Sequence, residues 1–212
     1  MGLTLPDRRA PGLDGSKCEW FITHMTDVRT RRLSTAEERR ATVLRTAISA
    51  FAARGYYGTT TTEVAKSAGI SQAYVYRLFP DKEALFVAVV EHVGAVIREC
   101  LAEGVAKAAS AEPAAVLDAM GEAYARLITD REVLMVLMHA TCAASGEPVI
   151  REAVQRMYAR LVEYVRAASG ADDAPIQHFF ATGFLCNATV SIGAVEIDAP
   201  WTRTLLAGIR HY

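Results

Sequence analysis

The feature that most constrains this chain is the run Thr59 to Phe86, TTTTEVAKSAGISQAYVYRLFPDKEALF, because it is dense in helix start and stop signals. Thr60 and Glu63 have capping-box spacing: the hydroxyl can accept from the backbone N–H three residues on while the carboxylate reaches back. Val64 and Ala65 give a short first helix a small apolar face. Gly69 suits the left-handed position that ends a helix, and Ile70 is the apolar residue expected just after it. Ser71 is a natural N-cap for a second helix, Gln72 to Phe79. Pro80 stops that helix by biasing Phe79 away from helical angles. Asp81 then caps a third helix, whose apolar face opens with Ala84, Leu85 and Phe86.

Two short helices joined by a Gly-containing turn form the helix-turn-helix pattern, whose second helix enters the DNA major groove. The exposed residues of that helix are expected to be Gln72, Tyr74, Tyr76 and Arg77. Gln can pair with adenine, Tyr can contact thymine methyls or phosphate, and Arg can reach phosphate or guanine. Spacing alone fits equally well a capped helical corner that never meets DNA.

The same residues, with the upstream stretch AFAARGYYGTT, resemble the DNA-binding signature of the TetR-type transcriptional regulators. The resemblance covers about residues 34–90 and carries several motif elements in order and spacing. It implies an all-α homodimer of about nine helices. An N-terminal three-helix DNA-binding domain would carry the helix-turn-helix, and a C-terminal bundle would sense a ligand and dimerise. The division expected is a disordered or basic arm over 1–33, the DNA-binding domain over 34–80, and the sensing and dimerisation domain over 81–212. The DNA-contacting set expected is Thr60, Ser71, Gln72, Ala73, Tyr74, Tyr76, Arg77 and Lys82. Thr60 would offer a hydroxyl and helix N-terminal N–H groups to phosphate, and Lys82 a point charge. Tyr76 is a phosphate contact by the resemblance. Two positions depart from the family pattern: Ala73 stands where Gly is usual, and Tyr74 where a small residue is usual. The second bears on which operator is read, since a ring reaches bases that a Thr cannot.

Charge distribution fits this division. Between Arg29 and Lys82 there are ten Lys/Arg against four Asp/Glu, and from Glu83 to Tyr212 ten against sixteen, although the whole chain is close to neutral at −1. A basic end beside an acidic remainder is what phosphate binding by one end requires, and a solvated basic face has the same composition. Arg29, Arg31 and Arg32 form an arm that suits a minor groove, a phosphate run or a solvated tail. Residues 1–23 lack periodicity, carry Pro6, Pro11, Gly12 and Gly15, and read as disordered. Met25 reads as a natural beginning for the family, with the preceding residues as an extension. No secretory signal is visible at residues 1–10, so the cytoplasm is the expected location.

The first helix is expected to open at a second capping box, Ser34 to Glu37, and to end at Gly55, with Tyr56 and Tyr57 packing in the loop that follows. Helix 4 is expected over about 81–109, and in the family it joins the two domains. Further helices are expected over about 114–129, 131–144 and 149–168. Residues 175–195 carry no charge. Their length approaches that of a membrane span, but Gln177, His178, Thr182, Asn187, Thr189 and Ser191 dilute them and basic flanks are lacking. A buried helix is the better reading, in the family a helix packed on its twin in the dimer bundle. A short final helix over 201–211 would join it.

Tyr124, Leu127, Met135, Met138, His139 and Phe180 are the candidate lining of a cavity for an unknown hydrophobic effector. His139 and Cys142 lie three apart on one helix face, but no third ligand or orienting acid accompanies them, and packing is the plainer role. Cys18, Cys100, Cys142 and Cys186 show no C-x-x-C spacing. No metal, cofactor or catalytic residue is expected, since nothing resembles a phosphate loop or a nucleophile elbow. The expected partners are a pseudo-palindromic double-stranded operator, a second copy of the chain and a small-molecule effector, with no membrane. The function expected is a ligand-released transcriptional repressor. The alternative is a helical small-molecule carrier or enzyme without DNA binding.

Overall fold

The computed structural model describes the backbone of residues 16–209, with side chains from residue 37 onward. Among the described residues all regular structure is helical: α1 (Ser16–Gly58), α2 (Thr61–Ser67), α3 (Gln72–Leu78), α4 (Lys82–Ala106), α5 (Pro113–Leu127), α6 (Arg131–Ala143), α7 (Pro148–Ser169), α8 (Asp173–Ser191), a 3-10 turn (Ala194–Glu196) and α9 (Pro200–Leu206). The chain divides into two compact units, Met1–Ala41 and Thr42–Tyr212. Within the first, the described part is the leading portion of α1.

Two expectations are corrected here. Helix α1 starts at Ser16, not at Ser34, and so replaces an irregular arm over 16–33; residues 1–15 lie outside the described residues. The physical reason is that residues 16–54 contain neither Gly nor Pro, so nothing ends the helix on the N-terminal side of the Ser34 signal. At the other end, Gly55 kinks α1 with φ 69° and ψ −177°, and the helix resumes through Gly58. Tyr56 and Tyr57 therefore sit on a helical tail rather than in a loop. Tyr56 packs, its ring centroid 5.2 Å from that of Phe86, whereas Tyr57 is exposed, against the expectation that both would pack.

In the second unit, Val43, Ala47 and Phe51 of α1 are buried with Val64 and Ala65 of α2, Val75 of α3 and Phe79. Helix α4 completes this core with Leu85 and Phe86, whose ring meets that of Phe51 edge-on at 4.7 Å. Farther along, the same helix buries Val93, Ile97 and Leu101 among α5, α6 and α7. The apolar spacing of α4 thus serves two cores in succession, and a 25-residue helix runs from one to the other. No described helix is long and apolar enough to cross a membrane. Helix α8 is the charge-poor segment, and it ends at Ser191.

Candidate nucleic-acid interface and ligand cavity

The turn between α2 and α3 forms as its residues dictate. Thr60 caps α2 by accepting from Glu63 N at 3.2 Å, and the Glu63 carboxylate accepts from Thr60 N at 3.1 Å. Past the cap at Ala68, Gly69 takes φ 67° and Ile70 N donates to Ala65 O at 3.0 Å, closing a Schellman motif. Ser71 accepts from Tyr74 N at 3.2 Å to start α3, and Asp81 accepts from Ala84 N at 2.7 Å to start α4. These four caps fix the angle at which α3 is presented.

A small polar cluster then locks the face of α3. Thr61 Oγ1, on a side chain 6% exposed, accepts from Gln72 Nε2 at 3.0 Å and lies 3.0 Å from Tyr76 Oη. Gln72 Nε2 also reaches Tyr76 Oη at 3.4 Å. Gln72, Ala73, Tyr76 and Arg77 are exposed together on one side of α3, with Tyr74 beside them and the Arg77 guanidinium 5.4 Å from the Tyr74 ring centroid. Ser71 and Thr60 are also exposed, at the two helix starts. Thr60 has its hydroxyl engaged by Glu63, which also pairs with Arg54. The hydrogen bonds from Thr60, backbone first, hold the Glu63 carboxyl below its ordinary range. Lys82 is tied down as well: Nζ donates to Tyr56 O at 3.0 Å and sits 4.3 Å from the Tyr56 ring centroid. All eight expected DNA-facing residues thus fall at one end of the unit, and Thr60, Ser71, Gln72, Tyr76 and Lys82 already have hydrogen-bond partners within it. Sequence reasoning passed over Thr61.

The bundle formed by α4 to α9 encloses a cavity of about 660 Å³. Of the six expected lining residues, Tyr124 and Phe180 are on its wall. Leu127, Met135, Met138 and His139 are outside it: α6 turns Leu137 to the cavity, and His139 instead lies against Gly55. The residues missed are Tyr158 on α7 and Phe179, Phe184 and Asn187 on α8. Their signal was an i, i+4, i+7 series through Phe180, Phe184 and Asn187 in the charge-free stretch 175–195. Tyr124 donates to Asn187 Oδ1 at 2.9 Å, and burial pushes its phenol pKa well up, only partly offset by that bond. Part of the Tyr124 ring still borders the open cavity while its hydroxyl is deep. Burial also raises the Tyr158 phenol, which bonds Thr141. Both phenols are therefore neutral at physiological pH. Cys142 is exposed, and no cluster of three metal-ligating side chains occurs among the described residues.

Residues 43–89 match the model of the bacterial regulatory proteins, tetR family. That segment contains all four caps and the whole exposed face of α3. Over those residues the chain carries the DNA-binding domain of the TetR family. It is a DNA-binding transcriptional regulator with the all-α TetR-like fold. Solved structures share the fold at low identity. A TetR-like regulator from Rhodococcus sp. RHA1 is 23% identical, with a TM-score of 0.59 over 79% of this chain and 91% of that one. A TetR-family regulator from Marinobacter aquaeolei VT8 is 18% identical, with a TM-score of 0.60 over 81% and 93%. FadR from Bacillus subtilis, solved with stearoyl-CoA, is 16% identical, with a TM-score of 0.61 over 80% and 99%. No curated protein sequence matches the chain.

Proposed function

We propose that this protein is a homodimeric repressor that leaves a pseudo-palindromic operator when a small hydrophobic ligand fills the bundle cavity. The observation that carries this reading is the double duty of α4. Its Leu85 and Phe86 are sealed into the core beneath the helix-turn-helix, while its Ile97 and Leu101 form cavity wall. A ligand that fits only one tilt of α4 therefore selects one spacing of two recognition helices, and a population shift follows from differential affinity alone. The FadR structure with stearoyl-CoA shows that a protein of this fold can hold a ligand with a long acyl chain.

In this reading Thr60, Ser71, Gln72, Ala73, Tyr74, Tyr76, Arg77 and Lys82 face the operator, and Tyr124 and Phe180 with their cavity neighbours face the ligand. The working division is an arm through residue 33, a DNA-binding domain over 34–80 and a sensing and dimerisation domain over 81–212. Dimerisation is supported by exposed apolar side chains on the last elements: Phe184, Ile192, Val195, Ile197, Trp201 and Leu205. Patches of this kind on soluble proteins mark interaction surfaces.

The test is selection of bound duplexes from a random pool, followed by competition with a panel of hydrophobic compounds and light scattering of the free protein. The expected result is a dimer that enriches an inverted repeat and releases it on adding one compound class. A monomer that retains no duplex at low ionic strength would overturn the proposal.

A further inference from the structure

Asn187 is the most informative residue in the cavity. It is 4% exposed, borders the cavity, and sits in the C-terminal part of the charge-poor helix α8. Its Oδ1 accepts from Tyr124 Oη, and its amide Nδ2 has no partner among the described residues. If the amide is turned over so that Nδ2 donates to Tyr124, the phenol O–H becomes the group left without a partner. Either way the pair presents a buried donor to the cavity, and a buried donor without an acceptor is costly. The charge environment narrows the choice of acceptor. The cavity wall among the described residues contains no Lys or Arg, and its carboxylates are Asp118 and Glu122 on α5, with the exposed His178 imidazole at the side. Glu122 is paired with Arg126 at 2.7 Å along the same helix, so that arginine is engaged outside the wall. An anion would enter with no fixed cation to receive it and would lose its hydration. The remainder of the wall is apolar, including Ile97, Leu101, Leu137, Leu161 and Phe179.

We infer that the cavity takes an uncharged, mostly apolar molecule whose carbonyl oxygen, as a ketone, ester, lactone or amide, seats on the Tyr124–Asn187 pair. This inference rests on reading the cavity as the effector site. It names the chemistry of that effector and excludes free carboxylates.

Four probes of similar size separate the possibilities by calorimetry: valerophenone, its isostere pentylbenzene, 5-phenylpentanoate and 4-phenylbutylammonium. Valerophenone should bind about tenfold or more tighter than pentylbenzene, the difference expected for satisfying one buried donor. The carboxylate probe should be weaker than either. In Asn187→Leu, checked for native helicity by circular dichroism, the gap between ketone and hydrocarbon should close. The ranking in the unmodified protein stands even if that variant does not fold. Equal binding of ketone and hydrocarbon, a charged probe as the tightest ligand, or no binding of valerophenone would each overturn the inference. Measuring operator release in parallel separates the two claims. Valerophenone bound without release would count against regulation by this cavity and leave the ligand class intact. Release driven best by 5-phenylpentanoate would do the reverse.

Discussion

His139 on α6 closes over Gly55 so tightly that a Cβ built at position 55 would lie 2.8 Å from its Nδ1. Gly55 also has φ 69°, a conformation that costs a side-chain-bearing residue about 1 kcal/mol or more. The kink at Gly55 thus depends on the absence of a side chain in two independent ways. Gly55→Ala is expected to lower the thermal midpoint by roughly 5 °C, from strain and displacement of the imidazole together. Adding His139→Ala should restore only the part due to crowding, since the backbone strain remains. A melt of Gly55→Ala that coincides with the parent's would show that the kink is not under this constraint.

Thr61 holds Gln72 and Tyr76 in one arrangement, so replacing its hydroxyl tests whether that arrangement matters for reading DNA. Thr61→Val keeps the shape and removes the acceptor at 3.0 Å from Gln72 Nε2. The fold should lose about 1 kcal/mol, the usual net value of a hydrogen bond of this kind. Operator affinity should fall more than that, with discrimination lost at the base pair that Gln72 faces, because the amide is then free to rotate. Anisotropy titrations against the selected operator and its single-base variants give both quantities. An operator profile identical to the parent's would mean that the cluster serves packing alone.

Lys82 has two candidate roles that separate by salt. Its ammonium is bonded to Tyr56 O at 3.0 Å and lies over the Tyr56 ring, a structural tie between the tail of α1 and the start of α4. If it also meets a phosphate, Lys82→Ala should reduce the slope of log affinity against log salt by about one, uniformly across sequences. A lower melting point with an unchanged slope would confine Lys82 to the structural tie.

The parts of this fold that could be read from sequence are those set within a few residues. Thr60, Gly69, Ser71 and Asp81 each act on their own helix end, and all four form the expected caps. The Ser34–Glu37 signal failed for the complementary reason. A cap motif proposes a start but cannot enforce one when the preceding residues are equally able to be helical. The cavity lay further from view. Helical spacing groups Met135, Met138 and His139 near one another, yet whether that face meets a void or a neighbouring helix depends on how α6 is rotated. That rotation is set by contacts with α1, α4, α7 and α8, so Leu137 reached the cavity and His139 did not. Asn187 was legible only as a polar residue in a charge-free run; its pairing with Tyr124, 63 positions earlier, is a tertiary fact.

Glu63 should leave a pH signature. Its carboxyl is held below the usual 4.5 by hydrogen bonds from Thr60, backbone first, with Arg54 adding to them. A depressed carboxylate contributes stability that is present above its unfolded pKa and is lost as pH falls through the folded one. Glu63→Gln should therefore melt below the parent at neutral pH, and the two curves should converge as pH drops under 4.5. Parallel curves down to the acid limit would show that the capping carboxylate contributes nothing through its charge.

The exposed apolar surface of the final elements offers the sharpest check on assembly. Ile192 is 65% exposed and Trp201 is 46% exposed, whereas Ala194 between them is fully buried. Large apolar groups turned outward on a rigid segment are costly in water and become favourable once covered, at about 25 cal/mol per Å² removed from solvent. Ile192→Glu with Trp201→Glu would place two carboxylates in the covered surface if a second copy packs there. Light scattering should then report a monomer at micromolar concentration, with an unchanged helical spectrum because neither side chain supports the protomer's own core. Affinity for a half-site should persist, while affinity for the full inverted repeat should drop to the half-site value, since the two recognition helices would no longer be linked. A double variant that remained dimeric and bound the full repeat as tightly as the parent would move the interface elsewhere on the bundle.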